Sequence, residues 1–491
     1  MTADEPGRYR FAPLERRGVL AGVRSGQLVA VAGSLVVAVL ALHAARSPAV
    51  GAAVAGVCAA VGALAAWAPV RGRTPEQWAP VVLSWAGRRL LGLERHVEAI
   101  CLAGTQVGSL ACRGPLARCE LVVPPVGLGG RRIAVVRDRA SGTYVGVLAV
   151  RASGFALVGG DEQRRRVDAW ASVLSGLARE GTLVHRVQWV LRAASGDGDD
   201  LFDHLASARS RSAPSAAIES YRELIEGAGP ATQRHEVFLA LAVHQRRAGA
   251  AGDEGGPPAI LARELQGLEA ALASTDVRSD GPLGPRALSR LLRDMADPAV
   301  PKGEAHGACD GDGERPVHEM TPATLMAGDA GWSAYRSDGA YHATYWIAEW
   351  PRVDVGPEFL MPLLLGAHQR RTVAMVLEPV PARRAAREAE AARTAHMADD
   401  ELRRRGGFLT SARRRREQEE VLAREAELAG GHALFRYSGY ATASARSQDE
   451  LVSACSELEA SAARAHLDLR RLYGQQGEAF TWTLPLARGL A

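Results

Sequence analysis

The chain has almost no lysine. Of its 59 lysine and arginine residues only Lys302 is a lysine, so arginine supplies nearly all of the positive charge. A phosphate-binding P-loop needs Gly-Lys-Ser or Gly-Lys-Thr after a glycine-rich turn. Lys302 instead stands between Pro301 and Gly303. The absence of a Walker A motif excludes nucleotide hydrolysis by that route.

Other catalytic signatures are also missing. The chain has no Gly-x-Ser-x-Gly, no His-Glu-x-x-His and no assembled nucleophile and base. Its six cysteines form no Cys-x-x-Cys pair. His306, Cys309 and His318 lie among acidic residues, but their spacing matches neither a zinc site nor a calcium loop and predicts a solvated loop. The sequence therefore predicts a protein that is not an enzyme and that holds no cofactor and no metal.

The net charge and the aromatic content of the chain are both low. The formal net charge is only +4, and most of the basic excess lies near the N-terminus, so no direct nucleic-acid partner is expected. Aromatic residues make up 5% of the chain. Several of them cluster with Arg336 as the one arginine between them, which indicates a hairpin core or a partner surface: Trp332, Tyr345, Trp346 and Trp350.

What the sequence does contain is a pair of long apolar runs, Leu28–Ala45 and Val50–Trp67. Each holds 18 residues, and neither includes an acidic side chain or a lysine. A bilayer core about 30 Å thick is crossed by roughly 20 mostly apolar helical residues. The runs predict a transmembrane helical hairpin, and the alternative is a pair of buried helices in a soluble protein.

Arginine placement predicts the orientation of this hairpin. Arginines precede the first run and follow the second, whereas the short turn between them offers only Arg46. The positive-inside rule then places both termini in the cytoplasm of a multi-pass plasma (inner) membrane protein, with the lipid bilayer as a partner. A helix over Thr74–Arg95 reads as amphipathic beside the membrane, or alternatively as a cap on the soluble core. The predicted membrane-interface residues are Trp67, Arg71, Arg73, Trp78, Trp85, Arg88 and Arg89.

The rest of the chain reads as mixed helices and strands, so the predicted fold class is α+β: a two-helix transmembrane hairpin followed by cytoplasmic α+β domains. The capping box Ser447-x-x-Glu450 opens a long helix, and the end of the chain, Ala479–Leu486, reads as a strand. No internal repeat is evident. The predicted segments are a cytoplasmic N-terminal segment (1–27), the hairpin (28–67), the juxtamembrane helix (68–98), a first α+β domain (99–295), a flexible acidic and glycine-rich loop (296–322), and a second α+β domain (323–491) with a projecting charged helical hairpin (382–429).

Two stretches carry a resemblance to known families. The N-terminal residues Tyr9-Arg10-Phe11, the apolar hairpin and Gly72–Pro80 (Gly-Arg-Thr-Pro-Glu-Gln-Trp-Ala-Pro) resemble an actinobacterial integral membrane family of conjugation-type (type IV) secretion systems, and the hairpin is similar to their PrgI-type subunit. The C-terminal half resembles the N-terminal, non-motor domain of TraC-like conjugation ATPases. It has a strand over Thr372–Pro379, a charged helical hairpin, a second strand, a helix opening at Ser447 and a final Leu484-Pro485-Leu486.

The resemblance implies a non-enzymatic inner-membrane scaffold subunit in an oligomeric secretion or conjugation apparatus. Its implied partners are a separately encoded secretion-system ATPase and a polytopic channel subunit. Two alternatives stay open. One is a type VII secretion subunit of the EccE type, and the other is a membrane-anchored enzyme or ligand sensor with a pocket at the aromatic hairpin.

Overall fold

A mixed α/β fold surrounds one large antiparallel sheet of thirteen strands. The computed structural model describes residues 9, 11, 25–44, 47–67, 73–97, 114–124, 131–152, 154–195, 205, 214–228, 233–250, 255–297, 327–365, 369–405, 422–423 and 425–490. The predicted loop over 296–322, with His306, Cys309 and His318, lies outside these residues apart from its first two positions.

Three helices precede the sheet. Helices α1 (Ser25–Ala44) and α2 (Pro48–Trp67) form a hairpin, and α3 (Pro75–Leu90) follows it. A methyl group on Gly62 would lie 2.2 Å from Cβ of Ser34, so the glycine is what allows the two helices to approach closely. Many leucine and valine side chains of the hairpin are exposed, among them Leu40 and Val57, each at 63%.

The prediction of a transmembrane hairpin over 28–67 is wrong, because no helix in the described ranges is both long and apolar enough to cross a membrane. The predicted multi-pass location in the plasma membrane is wrong for the same reason.

The first half of the sheet builds on a β-hairpin. Strand β2 (Cys119–Val122) pairs with β3 (Val135–Asp138), which turns into β4 (Thr143–Ala152). The elements that follow in chain order are α4 (Gly160–Leu177), β5 (Val184–Ser195), α5 (Ser215–Ala228), β6 (Gln233–His244), α6 (Gln245–Ala250), α7 (Gly256–Leu272), β7 (Val277–Pro282) and α8 (Pro285–Ala296). The short strand β1 (Arg95–Val97) pairs instead with the other half.

The second half repeats this order. Strand β8 (Ala327–Ala330) pairs with β9 (Tyr335–Ser337), which turns into β10 (Ala340–Glu349). Then follow α9 (Met361–Leu365), β11 (Arg371–Val380), α10 (Ala382–Arg405), β12 (Leu434–Ala445), α11 (Gln448–Arg464), β13 (Asp468–Arg471) and α12 (Gln476–Thr483). The sheet order is β5-β6-β4-β3-β2 in one half and β11-β12-β10-β9-β8 in the other, with β7 added to β4 and β13 added to β10.

Strand register confirms that the halves are equivalent. Arg186 of β5 pairs with Ala242 of β6, and Arg371 of β11 pairs with Ala443 of β12. The ladders β4–β7 and β10–β13 are each interrupted by a bulge at the corresponding place. Strands β5 and β11 pair antiparallel at the centre, so a pseudo-two-fold axis relates the halves and passes between the pairs Trp189–Met375 and Val190–Ala374.

Helices cover both faces of the sheet. Alternate residues of β6 separate the two cores, since Ala240 and Ala242 face α8 while Leu239 and Leu241 face α7. Helices α9 and α11 continue the second face over the other half. The Ser447 hydroxyl accepts a hydrogen bond from the Glu450 amide at 3.2 Å, which confirms the predicted cap of α11. The predicted terminal strand Ala479–Leu486 is wrong, because α12 occupies most of that range.

Each half reaches across the axis at its C-terminal end. Helix α8 ends against the β9–β10 turn, where the Ala296 carbonyl accepts a hydrogen bond from the Ser337 hydroxyl at 2.6 Å. Reciprocally, the residues after α12 reach the first half. The Ala487 amide donates to Oε1 of Gln188 at 2.7 Å, and Arg488 lies 3.2 Å from Oδ2 of Asp138, where the β3–β4 turn begins.

The pseudo-symmetry exposes one unmatched charge. Arg186 forms an ion pair of 3.1 Å with Glu378 across the β5–β11 junction. Its equivalent, Arg371, faces Ala193 instead. Arg371 is 3% exposed, and its three guanidinium nitrogens have no hydrogen-bond partner in the part of the chain that the structure describes. Burial lowers its pKa to about 10.

We expect Arg371→Met to raise the free energy of unfolding by about 1–2 kcal/mol, because a buried polar group without a hydrogen bond is costly. Arg186→Met is the matched control and should destabilise the protein, since it leaves Glu378 without its partner. Denaturant titration measures both variants. Equal destabilisation by the two substitutions would contradict the assignment of Arg371 as an unpaired charge.

Candidate functional site

The predicted membrane-interface residues of α3 pack against the second half of the sheet. The Trp78 ring stacks on Trp332 with centroids 5.8 Å apart, and Trp85 meets the same ring edge-on at 5.0 Å. Arg88 donates a hydrogen bond to the Gly474 carbonyl at 2.5 Å. These contacts correspond to the alternative interpretation of this segment, a helix that caps the core.

Two arginines of the predicted membrane interface contact the tryptophans of α3. The Arg73 guanidinium lies 5.5 Å from the centroid of Trp78, and that of Arg89 lies 5.2 Å from the centroid of Trp85, both in cation–π geometry. Trp67 ends α2, and Arg71 lies outside the described residues.

The predicted partner surface is divided between separate environments. Trp332 lies under α3, and Tyr345 is 1% exposed with its hydroxyl donating to Oε1 of Glu459 at 2.8 Å. Trp346 donates from Nε1 to the Ser438 hydroxyl at 3.1 Å. Trp350 stacks with Phe11 at 5.2 Å between centroids. Each of these four rings therefore makes contacts within the protein.

The polar centre of the second half is closed to solvent. The His342 ring is wholly buried, its Nδ1 lies 2.8 Å from the Ser444 hydroxyl, and its Nε2 lies 2.8 Å from that of Ser337. Nε2 is also 3.0 Å from the Ala296 carbonyl, so this nitrogen is well placed to donate its proton. Burial lowers the pKa of His342 to about 4, against the opposing effects of Ala296 and Asp297.

A metal site and a pocket at the aromatic hairpin are two further kinds of site for which the sequence offers candidate residues. Among the described residues, no group of three or more His, Cys, Asp or Glu side chains could hold a metal ion. A cavity of about 550 Å³ lies between α3 and the sheet edge, and its lining includes Glu94, Asp329 and Arg336. Neither Trp332 nor Trp346 lines this cavity, although both would be expected in a pocket built on the aromatic hairpin.

The feature that stands out from the sheet is the arm, which we define as α10 together with the returning residues 422–423 and 425–429. It is inserted between β11 and β12, and its predicted range was 382–429. Ala385 and Ala389 are 1% and 8% exposed, so the first two turns of α10 are seated on the core. Arg393 pairs with Glu425 at 3.0 Å, which joins the outgoing helix to the returning segment.

Ion pairs hold the root of the arm in place. Oε1 of Glu388 accepts hydrogen bonds from Arg384 on the same helix and from Arg436 on β12, each at 2.9 Å. Arg383 pairs with Glu180 of the first half at 2.8 Å. Next to these ion pairs, Arg387 and Glu390 are exposed on α10. The arm therefore presents a positioned, charged helical surface of the kind that gives specificity in protein association.

The first half carries its own insertion at the equivalent place. Helix α5 lies between β5 and β6, as α10 lies between β11 and β12. Because β5 and β11 are antiparallel, the two insertions leave the sheet at opposite ends. The charge pattern predicted the arm from the sequence, whereas its equivalence to α5 depends on strand pairing that no local pattern reveals. Comparison with known proteins finds neither a matching family model nor a matching curated protein.

Proposed function

We propose that the protein is a non-enzymatic scaffold subunit of a secretion or conjugation apparatus, and that it docks a separately encoded ATPase through the arm. The observation that supports this proposal is the arm itself. It is a charged helical insertion between β11 and β12, and it precedes the capped helix α11. This order of strand, charged helices, strand and capped helix is the one that the resemblance to TraC-like non-motor domains implies.

The electrostatics of the arm support a role in binding protein. Its root is fixed by the Glu388 ion pairs, so the exposed charges beside Glu388 are held on a positioned helix. Exposed charges of both signs, such as Arg387 and Glu390, favour a partner with the opposite pattern and disfavour others. Rim charges of this kind act mainly on specificity and on the rate of association.

Exchanging two exposed charges on the arm tests the proposal. The double variant Arg387→Glu, Glu390→Arg keeps net charge and helix composition while it inverts the pattern. We expect its recovery of a nucleotide-hydrolysing partner from native cells to fall at least tenfold. The measurement is affinity purification of the tagged full chain, followed by an ATP hydrolysis assay of the eluate.

The matched control is the same exchange on α5, Glu219→Arg with Arg222→Glu, which are also exposed and three residues apart. This control should retain the ATPase, and both variants should unfold at the wild-type temperature. Equal ATPase recovery from the two double variants would refute the arm as the docking element. An eluate without ATP hydrolysis from the wild-type chain would refute the proposed function.

A further inference from the structure

A second cavity lies at the root of the arm. Its volume is about 350 Å³, near the lower end of the range of small-molecule sites. Three arginines from separate elements line it: Arg179 follows α4, Arg247 belongs to α6, and Arg383 lies in the first turn of α10. We call this cavity the arginine groove. Gly181 lies in its wall with a φ of 91°, a left-handed turn that a residue with a side chain rarely adopts.

The charge of the arginine groove is unbalanced. Among the described residues of its lining, Glu180 is the one acidic residue, and it is already paired with Arg383 at 2.8 Å. Within the described ranges, Arg179 and Arg247 have neither an ion-pair nor a hydrogen-bond partner. Arg179 and Arg247, both exposed, thus line one cavity without an ion-pair partner in the described residues, an arrangement that attracts anions.

Two histidines adjoin residues that line the groove, His185 next to Val184 and His244 three residues before Arg247. Their rings, His185 and His244, meet edge to face with centroids 5.3 Å apart. Burial is the main cause of the lowered pKa of each ring. Arg186 and Arg247 lower both values further, Arg246 adds to the effect on His244, and His244 adds to the effect on His185. Glu378 acts in the opposite direction on His185.

We propose that the arginine groove binds a small phosphorylated anion. Guanidinium groups match phosphate oxygens in bidentate geometry, and three of them around a cavity of this volume suit a ligand with one or two phosphoryl groups. The anion would bridge Arg179 and Arg247 and compete with Glu180 for Arg383. Its site would therefore lie where the arm joins the first half. The inference is independent of the proposed docking function.

Inorganic pyrophosphate in metal-free buffer at constant ionic strength is the probe, and titration calorimetry on the full chain is the measurement. We expect saturable binding that weakens at least tenfold in the variant Arg179→Gln, Arg247→Gln. Arg222→Gln, which removes an exposed arginine from α5, should bind as the wild type does. Parallel titrations with phosphate and with ADP distinguish a site for one phosphoryl group from one that also contacts a nucleoside.

A second readout uses the histidines. Bound pyrophosphate adds negative charge beside His244, so the pKa of that ring should rise on binding in histidine-labelled protein, with His244→Gln supplying the assignment. The rise should vanish in the double glutamine variant and persist in part in Arg179→Lys, Arg247→Lys. Absence of saturable binding, equal affinity in the double glutamine variant, or binding of a glutamate-rich peptide but not of pyrophosphate would each overturn the proposal.

Discussion

We expect Arg488→Met to lower the free energy of unfolding by about 3–5 kcal/mol, the typical cost of leaving one partner of a buried ion pair alone. Asp138 is 2% exposed, and Nε of Arg488 lies 3.2 Å from its Oδ2. The same guanidinium donates to the Pro115 carbonyl at 3.0 Å. Removing it leaves the buried Asp138 carboxylate without its ion-pair partner, at the point where the C-terminal residues contact the first half. Denaturant titration with linear extrapolation measures the loss.

A double-mutant cycle separates the stranded charge from lost packing. Asp138→Asn keeps an acceptor for the Ala140 amide, which Oδ1 of Asp138 binds at 2.8 Å. The double variant Asp138→Asn, Arg488→Met should therefore be more stable than Arg488→Met alone. Arg95→Met is the exposed control, because Arg95 pairs with Asp329 at 2.9 Å while its side chain is 82% exposed. That change should cost under about 1 kcal/mol. Strict additivity in the cycle would refute a buried ion pair.

The second large effect is a loss of stability in mild acid caused by His342. Burial lowers the pKa of this ring from 6.5 to about 4, so the folded protein holds it neutral. The unfolded chain takes up the proton first as pH falls. The contribution is therefore fully present above pH 6.5 and is lost progressively as pH falls toward 4. A shift of this size corresponds to about 3 kcal/mol.

The test is the slope of unfolding free energy against pH between about 4 and 6.5. His342→Gln keeps one donor and one acceptor for the Ser337 and Ser444 hydroxyls but cannot titrate, so its slope should be shallower than that of the wild type. His185, whose pKa is also lowered to about 4, retains its own share of the slope in this variant. Equal slopes for wild type and His342→Gln would contradict the buried neutral ring.

Local patterns in the sequence indicate several strands of the sheet. The β-branched and apolar runs Tyr144–Val150 and Arg371–Pro379 lie within β4 and β11, and runs of this kind bounded by turn residues are strong strand signals. The helix after Ser447 was predicted from its cap. The prediction of a terminal strand was wrong because Ala479–Leu486 is a short apolar run, and the periodicity of such a run does not distinguish a strand from a buried helix.

Features that depend on contacts between distant parts of the chain could not be predicted from the sequence. The two halves align by strand register, whereas their residues diverge, as Glu378 opposite Arg186 and Ala193 opposite Arg371 illustrate. The transmembrane prediction depended on the length and the apolar composition of two runs, and no helix in the described residues is both long and apolar enough to cross a membrane. For the candidate site, charge pattern identified the arm. It missed the arginine groove, because Arg179, Arg247 and Arg383 meet only through tertiary packing.

The central pairing of β5 with β11 has a consequence for synthesis. Strand β5 emerges from the ribosome long before β11, with Arg371 following Val184 by 187 residues. At about 5–20 residues per second, the interval is on the order of 10–40 s. Throughout it, β5 offers an open edge with Val187, Val190 and Leu191, and an open apolar edge is a template for pairing with another chain. Nascent chains on one messenger RNA can therefore pair with each other through β5 until β11 of the same chain has been synthesised.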